Sequence, residues 1–280
     1  MKIEIQNLCK TIKKVPILQD ITVTFESGKI YGLKGKNGSG KTMLMRAISG
    51  LIIPNSGTIN IDGEILGKDI SFPRSIGILI ENPSFLGNYT GYKNLEMLAS
   101  IQKRIGEDEI RETLAEVGLD PDDKRTYRKY SLGMKQRLGI AAAIMEKPDI
   151  VILDEPINAL DESGALKVRE ILWKLRDNGS IIILACHDAE ELNLLSDEIY
   201  HIAEGKITGH EVAEHNENTE NQKKAESQRQ DEYRKKRVFC GKNIKTPATG
   251  RKEVCNEDKR RSAILWPFLP GHISGSAVSR

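Results

Sequence analysis

Polar and apolar residues alternate over residues 2–8 and again through Ile21-Thr22-Val23-Thr24-Phe25. This is the period-two pattern of strands with one buried face, and the two stretches read as antiparallel partners. Lys29-Ile30-Tyr31-Gly32-Leu33 predicts a third strand, and Met43-Leu44-Met45-Arg46-Ala47-Ile48 predicts the first turns of a helix. Pro54-Asn55-Ser56-Gly57 forms a turn, Thr58-Ile59-Asn60-Ile61 a strand, and Asp62-Gly63 a second turn. Residues 75–80 are apolar and β-branched, which predicts a buried strand. The period changes near residue 82. Residues 94–105 and 107–117 have helical spacing punctuated by Gly106 and Gly118, and residues 132–145 predict a third helix that Lys147-Pro148 stops. Strand character returns in residues 150–153 and 181–184, near-continuous aliphatic runs of the kind found in parallel strands buried on both faces. Residues 164–176 between them predict a crossover helix. The order implies an α/β fold, with a mostly parallel core sheet, an antiparallel β portion at the N-terminal side and a helical insert over about 82–147.

The strand–loop–helix passage near residue 30 carries Gly35-Lys36-Asn37-Gly38-Ser39-Gly40-Lys41-Thr42, a full match to the phosphate-loop pattern G-x-x-x-x-G-K-[ST]. Glycines let backbone N–H groups close around phosphate oxygens, and the helix N-terminus adds partial positive charge. In such a loop Lys41 reaches the β- and γ-phosphates and the Thr42 hydroxyl ligates Mg²⁺. Asp154 and Glu155 follow the aliphatic run 150–153, which places two carboxylates at the C-terminal edge of a parallel sheet, where ligands bind. Asp154 is expected to hold Mg²⁺ or its water shell, and Glu155 to polarise the water that attacks the γ-phosphate. His187 follows the next run at the same edge and is expected to contact the γ-phosphate.

Composition narrows the class. The 280 residues are 39% hydrophobic and 29% charged, ordinary for a globular chain with a substantial core. Cys9, Cys186, Cys240 and Cys255 form no C-x-x-C pair, which argues against a zinc site or disulfide framework and fits a reducing compartment. With alternation from Lys2 onward no secretory leader is expected, and no apolar run reaches the roughly 18–20 residues that span a bilayer.

Several motifs in the right order resemble the nucleotide-binding subunits of ATP-binding cassette (ABC) transporters, over residues 1 to about 208. Besides the phosphate loop and Asp154-Glu155, Tyr130-Ser131-Leu132-Gly133-Met134-Lys135-Gln136-Arg137 resembles the family's signature motif. Leu132 and Met134 replace the usual Gly and Gln, whereas Ser131 and Gly133 are kept. The resemblance implies that Ser131 and Gly133 touch ATP held by a second copy of the chain, at a helix N-terminus that can receive an anion. Asn158-Ala159-Leu160-Asp161 resembles the loop that crosses the dimer interface, and His187 matches the switch histidine. Two positions depart from the pattern. Glu81, in Ile80-Glu81-Asn82-Pro83, stands where the family has a glutamine that reaches a Mg²⁺ water, and Thr11 and Ile12 stand where an aromatic residue stacks on adenine. Ile12 is expected to pack on the base through apolar contact, with weak base selection. The flavour of residues 80–83 and 131–137 is similar to the branch that exports, or gives immunity to, peptide antibiotics such as bacitracin and lantibiotics.

The resemblance thus implies an ATPase subunit for export, with ATP and Mg²⁺ as cofactors. It further implies a homodimer that sandwiches two ATP, a separate integral-membrane subunit docked near residues 82–95, and a cytoplasmic location on the inner face of the membrane. Two rivals stay open: a soluble ATPase of this type acting on nucleic acid or the ribosome, and a regulator that holds ATP without hydrolysis. No nucleic-acid motif supports the first. Residues 211–280 form a polar tail with 15 Lys and Arg against 10 Asp and Glu. Disorder is expected there. Its clusters Arg234-Lys235-Lys236-Arg237 and Lys259-Arg260-Arg261, with the apolar Ile264-Leu265-Trp266-Pro267-Phe268-Leu269, make an anionic membrane surface a candidate contact.

Overall fold

The computed structural model describes residues 1–81 and 83–213. The first two strands, β1 (Lys2–Ile12) and β2 (Val15–Glu26), form one antiparallel hairpin. It is longer than the alternation alone predicts. Lys13 and Lys14 both take positive φ (47° and 69°), the two-residue turn whose twist matches paired strands. The strict alternation lapses at Asn7 and Asp20 because a bulge lies there; both have positive φ, and Asn7 Nδ2 donates to Asp20 Oδ1 at 2.8 Å. With β3 (Lys29–Lys34) assigned to the other sheet, β4 (Ser56–Ile61) and β5 (Glu64–Ile65) complete an antiparallel sheet of order β2-β1-β4-β5.

The core sheet adds β6 (Ile76–Leu79), β7 (Ile150–Asp154), β8 (Ile181–Ala185), β9 (Glu198–Ala203) and β10 (Lys206–Val212), in the order β10-β9-β3-β8-β7-β6. All neighbours are parallel except the β9–β10 hairpin. The predicted buried strand at 75–80 is corrected to an edge strand: among the described residues β6 pairs only with β7, and Ile78 is 38% exposed while Gly77 and Leu79 are buried. The runs of β7 and β8 divide between two cores. Ile150, Ile152, Ile181 and Ile183 pack with the antiparallel sheet and with α1 (Lys41–Ile48), whereas Val151, Leu153, Ile182 and Leu184 pack with the helices on the opposite face. Burial on both faces is why these strands are aliphatic throughout.

The helical insert holds α2 (Gly91–Gln102), α3 (Glu107–Glu116), a 3-10 turn (Tyr127–Lys129) and α4 (Leu132–Ile144). The predicted start of α2 at residue 94 was late by one turn, because Thr90 Oγ1 caps the helix by accepting from Lys93 N, at 3.2 Å. Asn94 is buried within the helix and closes the preceding loop, accepting from Leu86 N at 2.9 Å. Helix α4 reaches the sheet through glycine: a Cβ on Gly77 of β6 would stand 1.7 Å from the Ala143 carbonyl oxygen. The crossover from β7 to β8 is α5 (Glu162–Asp177), and α6 (Ala189–Leu195) leads from β8 to β9. The sheet continues to Val212, two residues beyond the predicted boundary at 210. The basic clusters and the apolar segment of the tail lie outside the described residues.

Among the described residues no helix is long and apolar enough to cross a membrane.

Candidate nucleotide site

The sheet register brings the motifs together. Leu33 of β3 and Asp154 of β7 both lie level with Ala185 of β8, so the phosphate loop, Asp154-Glu155 and Cys186-His187 all leave the sheet at one edge. Between them is a cleft of about 550 Å³, lined in part by residues 37–43, Glu81, Asp154, Glu155 and His187.

The loop is shaped by Gly38 and Gly40, with φ of 79° and 113°, conformations open to glycine at little cost. Its outer side rests on the β9–β10 turn, where Gly205 N donates to Ser39 O at 2.8 Å. Gly35 passes so close to β9 that a Cβ there would stand 2.2 Å from the Ile202 carbonyl oxygen. Helix α1 begins at Lys41 with no side-chain cap, which leaves its first N–H groups directed to the loop. The Ser39 hydroxyl is buried with no hydrogen-bond partner among the described residues. An uncapped helix start and an orphaned buried hydroxyl fit a phosphate group. Lys41, 6% exposed, turns its ammonium onto the loop's own Gly35 and Lys36 carbonyls at 2.6 and 3.2 Å. Gly35 and Lys36 therefore shape the loop and hold Lys41, and the cleft wall begins at Asn37.

Thr42 Oγ1 donates to Asp154 Oδ2 at 2.7 Å. Two oxygen ligands beside a phosphate loop are the donor set that a hard cation such as Mg²⁺ takes alongside nucleotide oxygens. One turn further along α1, Arg46 Nη2 holds the Glu81 carboxylate at 2.6 Å. Glu81, with φ of 63°, lies in the cleft wall with its charge compensated by Arg46.

Glu155 also has positive φ, 53°. Its N–H donates to the Ala185 carbonyl at 3.0 Å, and its side chain accepts from the His187 N–H at 3.2 Å. The His187 imidazole Nε2 lies 3.3 Å from the other carboxylate oxygen. Burial pushes the Glu155 carboxyl above the usual carboxylate range; the His187 contacts and Lys41 oppose this, and Asp154 adds to it. A partly desolvated carboxylate that faces the phosphate end of the cleft is suited to take a proton from water. The adjacent Cys186 thiol is pushed up to about 11 by burial and stays protonated, unfit as a nucleophile.

Ser131 and Gly133 do not line this cleft. Ser131 caps α4, its Oγ accepting from Met134 N at 3.2 Å. Gly133 packs on the loop at 158–161, where a Cβ would stand 2.8 Å from the Ala159 carbonyl oxygen. Arg137 pairs with Asp161 and so ties the same two segments together.

Sequence reasoning stopped the cleft wall at Thr42 and so left out Met43, gave Asn158 to the interface-crossing loop, and missed two further groups. One is Gln136, which lies inside the signature stretch at 130–137, where no charge or glycine marks it. The other is Ile17, which lines the cleft beside Gly40, whereas Ile12 is exposed at the end of β1 and is not in the wall. The hairpin register, with Thr11 opposite Pro16, is the signal that would have moved the apolar contact from Ile12 to β2. Ile17 offers a base no hydrogen bond. Apolar contact from one side chain discriminates weakly between ligands that differ in polar groups. ATP and GTP are therefore expected to be hydrolysed with kcat/KM values within about tenfold of each other. Phosphate release measured with each nucleotide checks this.

A family model described as ABC transporter matches residues 18–158. An uncharacterised ABC transporter ATP-binding protein of Bacillus subtilis is 49% identical over 205 residues, 73% of this chain and 94% of the relative. The chain belongs to the ABC transporter family. It is one of the family's ATP-binding subunits, an ATPase. A lantibiotic transport ATP-binding protein of Streptococcus pyogenes is 38% identical over 219 residues, 78% of this chain and 94% of the relative. A bacitracin transport ATP-binding protein of Enterococcus faecalis is 40% identical over 207 residues, 73% of this chain and 67% of the relative. Among solved structures, a dimeric ATP-binding cassette in a post-hydrolysis state with ADP and Pi matches with a TM-score of 0.69 at 22% identity, covering 75% of this chain and 98% of that one. That likeness speaks for the fold. A nucleotide-free cassette matches with a TM-score of 0.67 at 18% identity, over 76% of this chain and 92% of its own length.

Proposed function

We propose that this subunit powers export of a peptide antibiotic through a separate integral-membrane subunit, working as a homodimer that closes around two Mg·ATP. The observation that supports it is the separation of the two halves of the phosphate machinery. Lys41, Thr42, Asp154, Glu155 and His187 converge on one cleft, while Ser131 and Gly133, at the start of α4, lie outside it and are left to serve a second copy. Bound Mg²⁺ would offset negative charge on the β- and γ-phosphates. Thr42 and Asp154 are the residues to hold it, with Glu81 reaching its water shell once it leaves Arg46. Lys41 moves from the loop carbonyls to the phosphates, His187 contacts the γ-phosphate, and Glu155 orients the attacking water and draws its proton. Closure on ATP and reopening after hydrolysis would drive the membrane subunit between its two facings.

The exposed Leu86 and Tyr89, within the stretch of the insert named above, are apolar contacts of the kind a membrane subunit would cover. Such docking would hold the subunit on the cytoplasmic face of the membrane. The names of the lantibiotic and bacitracin relatives favour a peptide antibiotic as cargo.

Two experiments test the reading. The mass of Glu155→Gln in solution should shift from monomer to dimer with Mg·ATP; a mass that ignores ATP would count against the sandwich. Co-expression with a candidate integral-membrane subunit should raise tolerance to bacitracin or a lantibiotic, and Lys41→Ala should abolish the gain. Tolerance that survives Lys41→Ala would reject ATP-driven export. Purification with nucleic acid in place of membranes would favour the soluble rival.

A further inference from the structure

We propose that Gln136 is a positioning residue that ties the catalytic Glu155 of one cleft to the signature helix serving the other, and so makes hydrolysis at the two clefts cooperative. The inference rests on the two-ATP dimer above.

Gln136 is 8% exposed, and its amide nitrogen donates to the carbonyls of Glu155 at 2.9 Å and Pro156 at 3.2 Å. Both of its N–H groups are thereby spent on the backbone at the catalytic carboxylate. Glu155 needs such support. A non-glycine residue at φ of 53° is held there only where its surroundings over-determine it. Its N–H is pinned to β8 through Ala185, and its carbonyl is pinned to α4 through Gln136. A residue needed only for packing could be Met or Leu. The amide is required because either of those would leave two carbonyls without this donor.

The position on α4 supplies the rest. Ser131 caps this helix and Gly133 lies in its first turn, so Gln136 follows the proposed phosphate contacts within about one and a half helical turns. A hydrogen-bonded helix moves as a rigid element over that length. When Ser131 and Gly133 engage phosphate held by the partner copy, the N-terminal end of α4 shifts and Gln136 carries the Glu155 backbone with it. Orientation of the carboxylate in one cleft thus depends on occupancy of the other, a coupling carried by α4 and the Gln136 amide.

The test uses the full chain and its Gln136→Met variant. Nucleotide affinity, measured with a fluorescent ATP analogue, should fall less than kcat does, because the Gln136 amide in the cleft wall is spent on the Glu155 and Pro156 carbonyls. Gln136→Met placed in the Glu155→Gln background should still dimerise with Mg·ATP. The rate kcat should fall by about tenfold or more, since small misplacement of a reacting group is costly. The Hill coefficient for ATP should fall from about 2 in wild type to about 1 in the variant. A variant that loses rate but keeps wild-type cooperativity, or keeps both, would overturn the proposal. Gln136→Glu gives a second reading should Gln136→Met fail to fold. Its carboxylate regains one donor only when protonated, so its rate relative to wild type should rise as pH falls, and a ratio flat with pH would overturn the proposal. A wild type that stays monomeric with ATP and hydrolyses without cooperativity would overturn the two-ATP reading and this inference with it. A cooperative wild type with an equally cooperative variant would overturn this inference alone.

Discussion

Replacing Glu155 by glutamine is expected to slow phosphate release by about 10³-fold while leaving ATP binding intact, and at the same time to stabilise the fold. The first effect follows from geometry. The carboxylate lies at the phosphate end of the cleft with His187 at its side, and an amide of the same shape cannot accept the water's proton. The second follows from burial. Desolvation holds the folded carboxyl above its ordinary value of 4.5, so the folded chain binds this proton more tightly than the unfolded chain. Stability is therefore lost as pH rises from the ordinary value through the folded one, and the whole penalty is present at neutral pH. Glutamine carries no such penalty. The Tm of Glu155→Gln should exceed that of wild type at pH 7.5, and the gap should shrink as pH falls to below the ordinary value of 4.5, where the carboxyl becomes protonated in the folded and unfolded chains alike. The same upward shift in the nucleotide-free chain places the acidic limb of kcat/KM above the usual carboxylate range. Thermal scans across pH, beside phosphate-release rates, check all three statements. A variant less stable than wild type at neutral pH would show that the His187 and Lys41 contacts outweigh burial.

Gly77→Ala is expected to destabilise the protein by about 3 kcal/mol, at the upper end for overpacking, because the added carbon meets a backbone oxygen and not a side chain that can turn aside. The Cβ would stand 1.7 Å from the Ala143 carbonyl, so β6 and α4 must separate. Gly63→Ala is the control. Nothing lies within 4 Å of its added carbon, and its φ of 91° leaves only backbone strain, about 1–2 kcal/mol. Urea unfolding of both variants decides the order. Equal losses would mean that α4 is free to retreat. Because α4 also carries Ser131, Gly133 and Gln136, Gly77→Ala should lower ATPase activity even where the chain remains folded.

Much of the site was legible along the chain because its chemistry is local. The phosphate loop needs eight consecutive residues in one conformation, and Gly38, Gly40, Lys41 and Thr42 are recognisable without their surroundings. Asp154 and Glu155 were legible because they end an aliphatic run, which marks the edge of a buried parallel strand. Segments whose partners lie far off in the chain were read less well. The strands β9 and β10 have weak alternation, yet their turn supports the phosphate loop through Gly205 and Ser39. Helix α2 was placed late because Asn94, a residue that favours turns, is buried within it and bonded to the preceding loop. The edge position of β6 was hidden because its composition resembles that of its buried neighbour.

By itself the sequence determined the kind of fold, the family and the phosphate and carboxylate motifs, since periodicity and short motifs depend on the spacing of neighbours within one element. Only the tertiary structure decided what those residues do to each other. It set Thr42 against Asp154 and His187 against Glu155, gave Glu81 to Arg46, moved the apolar wall from Ile12 to Ile17, and brought the Gln136 amide onto the Glu155 backbone. Each of these is a contact between elements separated in the chain, fixed by strand register and by the close approach of helix to sheet at Gly77, which a linear pattern does not encode.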